Sequence, residues 1–517
     1  MQRIAYAAIL LGLAAGTLAL AADVPVVHLD GGIISGIAGS TPEVRVYRGI
    51  PFAAPPVGNL RWRAPQAVAH WDGIRKAEKF SPTCMQNANG PAAQPTSEDC
   101  LYLNVWTAAK SPSERRPVMV WIYGGGFTSG SGSVPAYDGD RLSQKGVVVV
   151  TFNYRLGLFG FLAHPDLTQE SDRRASGNYG LMDQVAALEW VQRNIAAFGG
   201  DPKKVTIFGE SAGAISVADL LVSPQSKGLF VRAIAESGAW MGLGVAPARR
   251  LTEAEEAGVK LADALGAKSL AEMRQVAADA VLKAGRGAGP TVDGWFLPEA
   301  PDKVFMQAKQ HPVPVLVGSN KDEGTFFLQP TTADAFTNRS RQRFGDMADS
   351  FLKLYPTASD EEANASQLEA FRDEVAWAMS SWAWLQTKAK AKAYLYYFAH
   401  EPPVAADAKG GRRGGGATHT AEIPYVFQNS GNRAWTDLER QLSDTMSSYW
   451  VNFAFTGDPN GRNLPKWLAF DENKNFNPMV FGDKIEMVSR DQVSPSPNLG
   501  HLKFYQTYHE KQQEAWR

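Results

Sequence analysis

An excess of charge of either sign is missing from this sequence. The chain carries 52 Lys and Arg against 53 Asp and Glu, a formal net charge of −1. That balance offers no basic field to nucleic acid and no attraction to an anionic membrane surface. Cysteine is nearly absent, with only Cys84 and Cys100, which excludes a disulfide-dense scaffold and a Cys-based metal cluster. No His-x-x-x-His pair and no acidic cluster at metal spacing stands beside the motifs discussed below, so a metallohydrolase is disfavoured and no cofactor is expected. Heptads, internal repeats and Pro/Ser-rich linkers are also missing, so nothing marks a domain boundary. Residues 22–517 are read as a single domain with inserted helical segments.

Long apolar runs are missing too, with one exception at the N-terminus. Arg3 precedes an apolar stretch from Ile4 to Leu20, and Ala19-Leu20-Ala21 supplies small residues. That stretch is about 17 residues, short of the roughly 20 that cross a bilayer, and it has the make-up of a secretory signal. The expectation is a signal peptide over residues 1–21, a mature start near Ala22, no integral membrane segment, and a secreted or periplasmic protein. In an oxidising compartment the two cysteines, 16 apart, are expected to pair.

Short apolar runs alternate with helical stretches, the pattern of an α/β protein with a mostly parallel twisted sheet flanked by helices. Pro117–Tyr123 ends in Gly124-Gly125-Gly126, and Gly146–Phe152 follows. Val205–Phe208 ends at Gly209, and Val313–Val317 ends at Gly318 before an acidic loop. Each reads as a buried strand that stops at a Gly turn. Thr252 with Glu255 reads as a capping box, and residues 361–393 read as a helical tract whose Trp377, Trp382 and Trp384 pack in the core. Residues 409–416 read as a Gly-rich loop.

Chemistry is concentrated around Gly209-Glu210-Ser211-Ala212-Gly213. Chance alone supplies about 0.3 such G-x-S-x-G matches at this glycine and serine content, so its weight comes from the strand before it and the small-residue helix after it. The turn would push the Ser211 hydroxyl outward, where it needs a base to become a nucleophile. In this arrangement the acid and then the histidine follow the serine in sequence. Asp322 or Glu323 supplies the acid, and His400, His419, His501 or His509 the base. His419 is favoured because it follows the Gly-rich loop and precedes Glu422, Pro424, Tyr425 and Phe427. The Gly124–Gly126 triplet and the amide of Ala212 are the natural donors to an oxyanion.

These stretches resemble the type-B carboxylesterase and cholinesterase family of α/β-hydrolases over nearly the whole chain. The resemblance rests on Tyr47–Ala53 with Pro55–Gly58 and Arg61-Trp62, on Ser97–Asn104, on Tyr123–Phe127, on Asn153–Arg155, and on Phe198–Pro202 leading to Gly209–Gly213. It implies an α/β-hydrolase fold with helical insertions over the active site. It also implies carboxylic ester hydrolysis through a triad of Ser211, Glu323 and His419, with oxyanion donors at Gly125, Gly126 and Ala212 and a Cys84–Cys100 disulfide. The partner is a small-molecule ester. Where cholinesterases place a choline-binding Trp this sequence has Gly90, which argues against quaternary ammonium substrates. The alternatives are a lipase for long chains or a peptidase, an esterase for anionic or bulky polyester substrates if the loop with Lys409, Arg412 and Arg413 rims the site, and a binding member of the family without activity.

Overall fold

The computed structural model describes residues 26–87, 94–238, 249–287, 289–403, 415–471, 478–488 and 499–515. The expected signal segment 1–21, Gly90, and Lys409, Arg412 and Arg413 fall outside them.

The dominant element is an 11-stranded sheet. In chain order its strands are β1 (Ile37–Ala38), β2 (Arg45–Pro51), β3 (Tyr102–Thr107), β4 (Arg116–Ile122), β5 (Val148–Phe152) and β6 (Gly200–Glu210), then β7 (Arg232–Glu236), β8 (Val315–Asn320), β9 (Ala393–Phe398), β10 (Met479–Phe481) and β11 (Ile485–Met487). Their order across the sheet is β11-β10-β9-β8-β7-β6-β4-β5-β3-β2-β1. The strands from β10 to β5 pair in parallel, and the pairs at both edges are antiparallel. The central strands are buried along their whole length on both faces: every residue of β5, β8 and β9 is buried. That is why they read as unbroken apolar runs rather than as alternation.

The four strands expected from the sequence are present with ends shifted by a few residues. Helix α1 (Tyr179–Asn194) precedes β6, and α2 (Ala212–Val222) leaves it and packs on β6 and β7. Helix α3 (Leu251–Ala264) follows, then α4 (Gly324–Phe327), α5 (Asp360–Lys388), α6 (Ile423–Phe427), α7 (Asp437–Thr456) and α8 (Leu499–Ala515). Cys84 and Cys100 form a disulfide with Cα atoms 5.0 Å apart. It ties a loop to the start of β3.

Three local expectations are corrected. Thr252 is not a helix cap: Arg249 and Arg250 pair as extended chain with Thr291 and Val292, so the helix begins directly at Leu251 with no side-chain cap. Glu255 instead accepts a hydrogen bond from the Thr168 hydroxyl at 2.5 Å. The tract 361–393 is not all helix, since α5 stops at Lys388 and β9 begins at Ala393. Finally, Trp377 and Trp382 are buried but Trp384 is 39% exposed, with the Lys388 ammonium over its ring.

Candidate active site

Strand β6 ends at Glu210 and helix α2 begins at Ala212, so the whole reversal falls on Ser211, with φ 57° and ψ −124°. A non-glycine residue held there costs about 1–3 kcal/mol. Two backbone bonds hold it: the Ser211 N–H donates to the Glu236 carbonyl at 2.9 Å, and the Ser211 carbonyl accepts from the Ile215 N–H at 3.0 Å. The glycines are steric requirements. A Cβ on Gly209 would lie 2.6 Å from the Ile122 carbonyl oxygen at the end of β4, and one on Gly213 would overlap the same atom. Only Ser211 of the turn is partly exposed, and its neighbours Glu210 and Ala212 are buried.

The Gly124–Gly126 loop closes on this turn. A Cβ on Gly124 would sit 2.7 Å from the Glu210 carbonyl oxygen and 2.8 Å from Ser211 Cβ. Gly125 (φ 106°) and Gly126 (φ 62°) both lie in the left-handed region, and a Cβ on Gly126 would meet nothing within 4 Å. Among the described residues, the amides of Gly125, Gly126 and Ala212 donate to no protein acceptor. Unused N–H groups in a Gly turn and at the first residue of a helix are suited to negative charge.

Acid and histidine meet from two loops zipped together. Asp322 bridges Thr418, with the Asp322 N–H donating to the Ala417 carbonyl and the Ala417 N–H to Asp322 Oδ2. Asp322 is thereby spent on the backbone. Glu323 Oε1 accepts from the Asn320 N–H at 2.9 Å, and its Oε2 lies 2.6 Å from His419 Nδ1. The other candidate histidines lie elsewhere: His400 sits by Asp483, His501 by Asp373, and His509 is stacked on Trp377.

The far side of the imidazole holds a residue that motif reading passed over. His419 Nε2 is 2.9 Å from Glu210 Oε1, off the line of a hydrogen bond, since that oxygen has no hydrogen-bond partner. Among the described residues Ser211 makes no side-chain hydrogen bond. The imidazole is therefore bracketed by two carboxylates. Burial alone would lower its basicity, but the charges of Glu210 and Glu323 outweigh burial and hold His419 well above the ordinary histidine range.

Two further buried acids back this pair. Glu236, at the end of β7, accepts from Trp450 Nε1 at 2.8 Å, and Glu422, at the start of α6, accepts from Asn320 Nδ2 at 2.5 Å. Burial, then the charge of Glu422, raises Glu236 well above the carboxylate range. Burial, then the charge of Glu210, pushes Glu422 up to about 8. Burial raises Glu210 as well, against the pull of His419.

The exposed flank of the site is aromatic. Phe326 (52% exposed) and Phe327 (38%) follow Glu323 on α4, with ring centroids 5.4 and 4.6 Å from that of His419. Phe327 also contacts Phe371 of α5 at 5.6 Å. The signal for this wall was two adjacent Phe residues just past the acid. Among the described residues, Glu369, Asp373 and His501 are the group whose ligand atoms cluster as a metal would need. Asp373 is already spent there on Arg372, the Tyr355 hydroxyl and His501, which is a structural network.

A mostly parallel sheet with a serine at a strand-to-helix reversal and an acid-held histidine from later loops defines the α/β-hydrolase class. Within it the chain belongs to the carboxylesterase family, whose profile matches residues 23–492. It is 40% identical over 501 residues to the fumonisin B1 esterase of Sphingopyxis macrogoltabida, covering 91% of this chain and 88% of that protein. It is 36% identical over 474 residues to the para-nitrobenzyl esterase of Bacillus subtilis (84% and 91% covered) and 35% identical over 485 residues to human cocaine esterase (86% and 85%). A solved PNB esterase superimposes with a TM-score of 0.77 at 35% identity, covering 90% of this chain and 98% of that one. The protein is a carboxylic ester hydrolase.

Proposed function

We propose that Ser211 is the nucleophile, His419 the general base, Glu323 its orienting acid, and the amides of Gly125, Gly126 and Ala212 the oxyanion donors of an esterase that works through an acyl-enzyme. The observation that carries this reading is the 2.6 Å contact between Glu323 Oε2 and His419 Nδ1 beside the Ser211 turn. That contact fixes the proton on Nδ1 and leaves Nε2 to act as base. Ser211 attacks the ester carbonyl as His419 takes its proton, and the amides receive the charge that develops on the carbonyl oxygen. His419 then protonates the leaving alcohol. Water, activated by the same nitrogen, releases the acid.

Glu210 explains the resting arrangement. A protonated imidazole is attracted to the Glu210 carboxylate. Once neutral, its Nε2 lone pair is repelled by that carboxylate and is free to accept the Ser211 proton. The enzyme is thus off at acid pH and switches on as His419 loses its proton.

The Phe326–Phe327 flank suits esters with an apolar or bulky partner. A panel of para-nitrophenyl esters of increasing acyl length, with amide analogues, fumonisin B1 and para-nitrobenzyl esters, tests this reading. Turnover of esters with a pre-steady-state burst, and none of amides, is expected. Amide cleavage at comparable rates contradicts it. Export rests on Arg3 and the apolar run after it, and N-terminal sequencing of mature protein beginning near Ala22 is the expected result. A start at Met1 in secreted material would refute cleavage.

A further inference from the structure

The register of the central strands builds a row of groups behind the imidazole. Glu210 of β6 lies opposite Glu236 of β7, Glu236 opposite Gly318 of β8, and Gly318 opposite Tyr396 of β9. Opposed residues on parallel neighbours leave the sheet on the same face, roughly 5 Å apart. The two glutamates therefore project side by side into the buried space below His419. Gly318 is needed for the rest of the row, because the Tyr396 ring occupies the place its side chain would take. The Tyr396 ring thus lies over β8, where its phenol is acted on by Glu422 and Glu236.

Hydrogen-bond accounting exposes a missing donor. Glu236 Oε1 is served by Trp450 Nε1 and Glu422 Oε2 by Asn320 Nδ2. Glu236 Oε2, Glu422 Oε1 and the Tyr396 phenol oxygen are buried with no partner. A carboxylate only accepts and the Tyr396 phenol has a single proton to give, so with both glutamates ionised at least one of these buried oxygens would stay without a donor, at a cost of several kcal/mol per buried charge. The charged groups that act on Glu236 are Glu422 and Glu210, and no cation is among them. The titratable groups that act on one another here are Glu210, Glu236, Glu323, His419, Glu422, Tyr396 and Tyr137, and the Trp450 indole donates to Glu236.

We propose that Glu236 is a positioning residue that works as an uncharged acid, donating a hydrogen bond from Oε2 to Glu422 and confining the negative charge that faces His419 to Glu210 and Glu323. Its neutrality matters for turnover. A third carboxylate charge would hold the imidazole proton more tightly and delay its use as a base. The inference rests on the reading of His419 as base, but its first test does not need turnover.

A protonated carboxylic acid has an infrared carbonyl band that carboxylates lack. Difference spectra of wild type against Glu236→Gln at neutral pH are expected to show one such band lost. In the pH profile of kcat/KM, Glu236→Leu, which has no donor, lowers the plateau. Glu236→Gln, a neutral donor of the same shape, rescues it with the acid limb in the wild-type place. A Glu236→Gln spectrum with no band lost overturns the proposal. So does an acid limb moved to lower pH in that variant, which is the mark of a removed charge. Failure of Glu236→Gln to fold also overturns it, because a neutral isostere replaces a neutral acid. Failure of the Ser211 or His419 assignments would leave the infrared result standing, so the two readings fail separately.

Discussion

Replacing Glu210 by Gln removes one of the two carboxylates that bracket the imidazole while keeping the shape of the turn. At the 2.9 Å separation of Glu210 Oε1 and His419 Nε2, two unit charges attract by about 6 kcal/mol at an effective dielectric constant of about 20. Burial of the Glu210 carboxylate opposes that attraction. If only a quarter survives, about 1.4 kcal/mol, it corresponds to one pH unit. Since the base must be neutral to act, losing the charge makes His419 easier to deprotonate. The acid limb of kcat/KM in Glu210→Gln is therefore expected to move to lower pH by about one unit or more. The wild-type limb should itself lie above the ordinary histidine value of about 6.5. The assay is initial rates with an uncharged para-nitrophenyl ester from pH 5 to about 9, fitted for the free enzyme. A Glu210→Gln limb that coincides with that of wild type would refute the bracketed-imidazole account. The contrast with Glu236→Gln is informative: two neighbouring glutamates in register, each replaced by the same amide, are expected to give opposite results.

Three further outcomes follow from the site and its frame. Phe327→Ala opens the aromatic flank beside His419, and is expected to raise KM about tenfold for aromatic or long-chain esters while leaving acetate esters little changed. For Glu422 the folded value of about 8 lies above the unfolded 4.5. Its contribution to stability is therefore fully present below pH 4.5 and lost as pH rises to about 8. Glu422→Gln escapes that loss, so its Tm advantage over wild type should open across this window and stay level above it, and a constant difference from pH 4.5 to 8 would contradict the assignment. Reduction of Cys84–Cys100, or Cys84→Ser with Cys100→Ser, frees a loop of sequence separation 16 and is expected to cost about 3 kcal/mol of stability, read as a lowered urea midpoint.

What the sequence disclosed and what it hid divide along a physical line. Ser211, its glycines and the strands before them are contiguous, so local pattern carries them. Glu323 and His419 were reached by order along the chain and by family resemblance, because the Asp322–Thr418 bridge that joins their loops leaves no local mark. Glu210 sat in plain view inside the motif, yet its approach to Nε2 depends on how the turn presents its side chain. The Glu210–Glu236–Gly318–Tyr396 row is invisible to any pattern within a segment, since it arises only from register between strands far apart in sequence. Strand β7 itself escaped notice, being only five residues long with Arg232 at its start. Trp384 shows the limit of helical periodicity. It lies seven residues from Trp377, on nearly the same face, but Trp377 is covered by His509 of α8 at 4.1 Å and Trp384 is not buried.

Covalent chemistry at Ser211 is read most directly from the mass of the protein after treatment with an organophosphate ester, followed by peptide mapping. One adduct per chain is expected, on the peptide that carries Ser211, formed in step with loss of esterase activity, with neither adduct nor activity in Ser211→Ala. An adduct on another residue, or turnover by Ser211→Ala within tenfold of wild type, would contradict it.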